Sequence, residues 1–424
     1  RMYLSGSKWN LRKKRRRTSP WRVLLILVFI AAAVYFWQIY IPTIPPPFIP
    51  TPTPTRSPAS FVLEAESLFD SGKLEQAEEA YLEAILADPR EPAHYIELAR
   101  VRMFAGKYED AEITARDALV LNKDSALAHA FLGWSLDFQA GDAEDRLTKN
   151  ELMVEALQEA ETALDLNQNI TEVQAIYAEI LIDTNLENYE PALEHARAAV
   201  AMDNTSLEAH RALAYVWEMT GNRELALESY VIARGLNSYL PRLHLDIGNM
   251  LRAMGDYDGA RESYLNAVAL SPTNTEPLTY LVQLYAGIGE YGVASQYARN
   301  AVELDPANPR LRGNLGRMYY HNGILDEAIV QFNLAVRGGQ SDEGAWVEGL
   351  PLKKEDFRIV EFYYTYGLAL AKRNSCEEAI QIFEAILQTI PEDEVAVFNA
   401  QEGLILCGEL ERPPTPEADS SPAS

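Results

Sequence analysis

Apolar and polar residues follow three different rules along this chain. From Val23 to Ile41, nineteen residues run apolar with one interruption, Gln38. At about 1.5 Å per residue that run covers nearly 30 Å as a helix, the thickness of a bilayer core. Trp21 stands at one end and Tyr35, Phe36, Trp37 and Tyr40 at the other, where amphipathic rings favour the interface. Residues 42–58 then hold eight prolines in seventeen positions, interleaved with threonine. Proline fixes φ and donates no backbone hydrogen bond, so the stretch reads as an extended polyproline stalk of roughly 50 Å. Beyond it, small and aromatic positions recur with a fixed period.

That period is 34 residues. A glycine that ends one helix and an alanine inside the next keep a five-residue offset at Gly72/Ala77, Gly106/Ala111, Gly221/Ala226, Gly255/Ala260, Gly289/Ala294 and Gly323/Ala328. A small residue marks the middle of each first helix, as at Ala65, Ala99, Gly133, Ala178, Ala214, Gly248, Gly316 and Gly367. An aromatic followed by alanine marks the second, as at Tyr81/Ala84, Tyr230/Ala233, Tyr264/Ala267 and Phe332/Ala335. Prolines close several units, at Pro89, Pro272, Pro306 and Pro391. Small residues let the two helices of a pair approach closely, and no pair buries its apolar face without stacking on the next.

These positions resemble the tetratricopeptide-repeat family over about residues 58–393. The resemblance implies an all-α fold, a right-handed superhelical solenoid of helix pairs. Nine units follow: 58–91, 92–125, 126–170, 171–206, 207–240, 241–274, 275–308, 309–342 and 360–393. Residues 394–408 read as a capping helix, so the solenoid spans 58–410. The third unit carries about eleven extra residues near 141–154, the fourth about two near Asn185–Asn188. A break at 343–359 contains Trp346; it is either an exposed site or a bridge with Trp346 tucked against the solenoid. The tail, 411–424, is rich in Pro and Ser and reads as disordered.

Charge adds a direction to this plan. Residues 1–63 hold ten Lys or Arg and no acid, whereas from Glu64 onward 27 basic residues face all 62 acids, a net of −35. Such a body repels nucleic acid and anionic lipid. The run Arg12 to Arg17 lies in a basic segment, 1–22, just before the apolar span. It reads as a topogenic flank in preference to a nuclear address. By the positive-inside rule it keeps the N-terminus cytoplasmic and sends the repeats across the membrane. Ala31–Ala33 has two readings, a signal-peptidase site or part of an uncleaved anchor; the apolar run continues past it, which favours the anchor.

Candidate chemistry is sparse. His94, His129, His210 and His244 recur at one place in their units, which suits packing positions better than a metal site, and no metal or other cofactor is expected. No catalytic motif stands out, and no stretch outside the repeats is long enough for a catalytic domain, so the chain does not read as an enzyme. In the implied fold Cys376 sits in the turn of the ninth unit and Cys407 ends the cap helix. Adjacent turns stack side by side, leaving two readings open: a disulfide in an oxidising compartment, or two separate buried thiols.

The family's concave groove is lined by first-helix positions 2, 5, 9, 12 and 13. Carried over, these give an apolar zone of Met103, Phe104, Trp134, Phe138, Ile182, Tyr215 and Met219. A second zone follows: Arg211, Arg242, Asn249, Arg252, Arg310, Arg317, Tyr320 and His321. Inward arginines on an acidic body suit an acidic or C-terminal peptide segment, although they also serve to neutralise nearby acids. The Lys and Asn set of the family's chaperone-tail clamp is missing from any three consecutive units. The expectation is therefore a single-pass scaffold or adaptor in a bacterial envelope or surface complex, binding proteins or peptides, with no nucleic-acid partner. A self-assembling surface component is the alternative.

Overall fold

The computed structural model describes residues 19–36, 38, 56–143, 145–354 and 356–411. The basic run at Arg12–Arg17, most of the Pro/Thr stalk and the tail beyond 411 lie outside the described residues. Two compact units form, one ending at Arg56 and one beginning at Ser57. The first contains α1 (Pro20–Tyr35), begun by a proline where its missing N–H costs nothing. All of its described side chains are exposed. At sixteen residues α1 is about 24 Å long. Among the described residues no helix is long and apolar enough to cross a membrane. The span expected over 23–41 extends past the end of α1, and residues 37 and 39–41 are not described.

The second unit is a stack of helix pairs. In order they are α2 (Pro58–Asp70) with α3 (Leu74–Ala87), α4 (Pro92–Phe104) with α5 (Tyr108–Leu121), and α6 (Ala126–Asp142) with α7 (Arg146–Asn167). Next come α8 (Thr171–Thr184) with α9 (Tyr189–Met202), α10 (Leu207–Met219) with α11 (Arg223–Leu236), and α12 (Pro241–Ala253) with α13 (Tyr257–Leu270). Then α14 (Glu276–Gly287) pairs with α15 (Tyr291–Leu304) and α16 (Pro309–His321) with α17 (Leu325–Arg337). A hairpin of β1 (Gly338–Gln340) and β2 (Trp346–Glu348) precedes the last pair, α18 (Phe357–Lys372) with α19 (Cys376–Thr389), and α20 (Glu394–Leu406) follows.

The periodic residues explain this regularity. A Cβ on Gly248 would lie 2.5 Å from the Tyr264 ring, and one on Gly367 would lie 2.5 Å from the Phe383 ring. In these pairs the first helix presents a gap that the aromatic of its second helix fills. Tyr264 and Phe383 are fully buried as a result. Outside the third and fourth pairs, the turn between the helices holds one residue at positive φ, glycine at Gly106 and Gly255 and Asn374 in the ninth pair. Polar caps begin several helices: Ser125, Asp145, Ser206, Asn308, Asp356 and Asp393 each accept a backbone N–H.

Three irregular places differ from a plain reading of the repeat. The extra residues of the third unit are mostly helical: α6 has 17 residues and α7 has 22, where α4 and α5 have 13 and 14. The two extra residues of the fourth are taken up in a three-residue 3-10 turn, Leu186–Asn188. The break after α17 is a hairpin of two three-residue strands inserted in an otherwise all-α solenoid. Strand alternation buries Val347 and leaves Trp346 72% exposed, not tucked against the solenoid.

Cys376 and Cys407 are joined, with their Cα atoms 5.5 Å apart, tying the start of α19 to the end of α20. The bridge closes a loop across a separation of 31 residues, which by chain entropy stabilises by about 3–4 kcal/mol. Replacing both cysteines with serine is expected to release α19 and α20 first. Hydrogen exchange would show lost protection over 376–407 with α2 to α17 unchanged; equal protection would mean that packing of Phe383 alone holds the cap.

Candidate functional site

The solenoid closes on itself. Asn237 Nδ2, in the loop after α11, donates to the Phe69 carbonyl at the end of α2, 3.2 Å away. Arg100 on α4 donates from Nε to Glu208 on α10 at 2.6 Å, and Arg242 on α12 reaches the Tyr108 hydroxyl at 3.5 Å. One apolar cluster includes Phe69, Leu74 and Phe104 together with Leu207, Leu240 and Leu243. The inner face of the first six pairs is thus enclosed by the chain itself.

Inside lies a cleft of about 860 Å³. Its walls carry Asp137, Phe138 and Asp142 from α6, Glu179 and Asp183 from α8, Tyr215 from α10, Arg242 from α12, and Glu276 and Tyr280 from α14. Glu179 accepts from Trp134 Nε1 at 3.0 Å and from the Arg211 guanidinium. Arg211 in turn lies over the Trp134 ring, 4.6 Å from its centre. Tyr215 donates to Asp183 at 2.7 Å, and Arg242 Nε pairs with Asp246 at 2.9 Å. The Oδ1 atom of Asp137 is buried and has no hydrogen-bond partner.

Burial governs how these acids titrate. It pushes Asp137 well up, and the charges of Asp183 and Glu179 push it further. Burial also raises Asp183, against the hydrogen bond from Tyr215, and it raises Asp142 and Glu276. Glu179 is pushed up to about 7 by burial despite Arg211, and Glu218 to about 7 by burial and the charge of Asp246.

A second, smaller cleft of about 390 Å³ lies in the open C-terminal part. Arg252, Arg317, Arg358 and His321 line it with Gln283, Tyr291 and one acid, Glu361. Arg317 Nη1 donates to Glu361 at 3.0 Å, while Nε of Arg317 and Nε of Arg252 are buried without a hydrogen-bond partner. Burial and the neighbouring Arg317 charge lower Arg358, and the same two causes lower His321, which stacks on Tyr291.

The groove residues expected from the sequence divide between these places. Trp134, Phe138, Arg211, Tyr215 and Arg242 gather around the inner cleft, and Arg211 and Trp134 are buried there. Arg252 and Arg317 line the outer cleft. Arg310 is held by Asp356 at 2.7 Å, Tyr320 accepts from Lys372 at 2.8 Å, and Asn249 accepts from Tyr264 at 2.8 Å. His129, His210 and His244 each meet the carbonyl six residues earlier at 3.0 Å, a shared loop-bracing contact. Among the described residues no group of His, Cys, Asp and Glu is arranged to hold a metal ion. Sequence reasoning missed Asp137, Glu179 and Asp183. Yet they occupy groove positions 12, 9 and 13 of their units, and a search for acids at those positions finds them. It also missed Arg358, which falls inside the break in the period.

The folded state favours the protonated forms of Glu179 and Glu218, whose values lie above the unfolded value near 4.3. The stability they contribute is therefore complete at acid pH and lost as pH rises from about 4.5 to about 7. Melting temperature is expected to fall between pH 5 and pH 8, and Glu218→Gln to flatten that slope. A melting temperature independent of pH would contradict the burial assigned to these carboxyls.

Two family models match: tetratricopeptide repeat over residues 62–126 and 279–343, and TPR repeat over 248–289. No curated protein matches the chain. Among solved structures, the human IFIT1 dimer with PPP-AAAA is 16% identical, with 82% of each chain covered and a TM-score of 0.55. The human IFIT1 dimer with m7Gppp-AAAA is 17% identical, covering 78% of this chain and 90% of that one, with a TM-score of 0.52. A thermophilic TPR protein from Thermus thermophilus is 18% identical over 46% of this chain and 99% of its own, with a TM-score of 0.39. Over residues 62–126 and 248–343 the chain matches tetratricopeptide-repeat models, and its fold is a helical repeat array.

Proposed function

We propose that this chain is a membrane-anchored scaffold that receives an acidic peptide segment or a C-terminal carboxylate in its outer cleft. Tetratricopeptide-repeat proteins generally mediate protein–protein interaction. The observation that carries the reading is the set of three guanidiniums, Arg252, Arg317 and Arg358, around one cleft with a single acid, Glu361. Guanidinium forks meet carboxylates in two-point fashion, and buried unpaired N–H groups gain most from such a partner. The other inward arginines are already engaged, Arg211 by Glu179, Arg242 by Asp246 and Arg310 by Asp356.

The anchor rests on the apolar run 23–41, its basic flank and the Pro/Thr stalk. A bridged Cys376–Cys407 pair agrees with a repeat body in an oxidising compartment outside the cytoplasm. The IFIT1 neighbours are described with PPP-AAAA and m7Gppp-AAAA. The charged residues lining the inner cleft are mostly carboxylates, a poor host for polyphosphate, which favours a protein ligand. Self-assembly is the second reading. The exposed Val395 and Phe398 on α20 favour it, because they leave an apolar face at the end of the solenoid.

An Asp/Glu-rich octapeptide with a free C-terminus is expected to bind the full chain, and a Lys-substituted counterpart is not. Arg252→Ala and Arg358→Ala should each weaken that binding roughly tenfold. Equal binding of both peptides, or no effect of either variant, would remove the assignment. A cysteine placed at Thr53 should label in intact cells with an impermeant thiol reagent; protection until lysis would reverse the topology. Light scattering that grows with concentration would favour the self-assembling component.

A further inference from the structure

The inner cleft is opposite in sign to the outer one, and no part of the peptide-binding reading uses it. Its walls carry Asp137, Asp142, Glu179, Asp183 and Glu276 against one arginine, Arg242. That arginine spends Nε on Asp246. Arg211, just behind the wall, pairs with Glu179 through its terminal nitrogen and leaves Nε buried without a hydrogen-bond partner. The carboxylates of Asp137 and Asp183 remain, brought from α6 and α8 to within hydrogen-bonding reach of each other. Asp183 has the Tyr215 hydroxyl as a donor. Asp137 is 6% exposed, faces the cleft, and leaves Oδ1 with no donor.

An acceptor buried in this way is costly unless a donor reaches it. Asp137 and Asp183 face each other closely enough to share one proton, but among the described residues no donor reaches Oδ1, which leaves that place to a donor entering the cleft. Two carboxylates converging from separate helices suit a compact group with several N–H bonds; an ammonium has three and no acceptor. The same cleft carries Tyr108, Phe138 and Tyr280. The rings of Tyr108 and Phe138 lie 4.7 Å apart. Such rings give an apolar wall for an alkyl stem and a π-face for its charge. About 860 Å³ is ample for a flexible chain of six to ten heavy atoms.

We infer that the inner cleft is a binding site for a primary alkylammonium, held between Asp137 and Asp183 with its stem along Phe138 and Tyr280. A free polyamine and the lysine side chain of a peptide share this chemistry. The site is separate from the outer arginine cleft, and each can fail without the other.

The test uses the full chain at pH 8, on the alkaline side of the usual carboxylate range. Spermidine and a neutral peptide carrying one lysine are titrated in parallel by calorimetry, with melting temperature as a second readout. Saturable binding of spermidine alone identifies a small-molecule site; binding of the lysine peptide identifies a protein segment. Either is expected to fall at least tenfold in Asp137→Asn, which keeps shape and removes charge, and to persist in Arg358→Ala. The Asp183→Asn variant gives a second reading if Asp137→Asn fails to fold. Absence of saturable binding by both probes would overturn the inference. So would binding that Asp137→Asn and Asp183→Asn leave unchanged, since that is polycation condensing on an acidic surface.

Discussion

The architecture depends on the contact between the first helix pair and the loop after the fifth. An array of helix pairs ordinarily touches only its neighbours, so its curvature is set by small rotations accumulated at each step. Here Asn237 reaches the Phe69 carbonyl, Arg100 reaches Glu208, and Leu240 and Leu243 join the apolar cluster of Phe69 and Phe104. These contacts join residues more than a hundred positions apart and convert a concave groove into an interior. Once enclosed, the groove's polar side chains lose solvent, and their pairing becomes obligatory. Trp134, Arg211 and Glu179 form such a set, with each member satisfying or stacking on another.

Most of the repeat scaffold was legible in the sequence because its determinants are local. Gly248 against Tyr264 and Gly367 against Phe383 are contacts within one helix pair, and a 34-residue period reports them directly. The hairpin was not legible, because its residues fall where the period stops; Val347 is buried by alternation over only three positions. The lengthened α6 and α7 were visible as extra residues, but their helical state follows from packing that the period does not encode.

The candidate site was less legible, for a different reason. Position in the unit identifies which side chains face inward, and in the structure Phe138, Tyr215 and Arg242 line one cleft with Trp134 stacked against Arg211 behind it. It says nothing of how far the superhelix winds, and winding decides whether an inward arginine meets solvent or meets Glu179. The acids at Asp137, Glu179 and Asp183 were legible by the same rule. Their significance comes from enclosure, which depends on residues as distant as Tyr108 and Arg242.

Closure has a mechanical consequence as well. A solenoid that touches only its neighbours behaves as a spring, and bending spreads over all of its joints. Joining the second helix to the loop after the eleventh turns the first part into a hoop, whose bending must break hydrogen bonds and expose leucine. Compliance is then confined to the joints beyond α12, where only adjacent pairs hold the array. A pull or a docked partner at the C-terminal end would change the pitch of that segment and leave the hoop's shape unaltered.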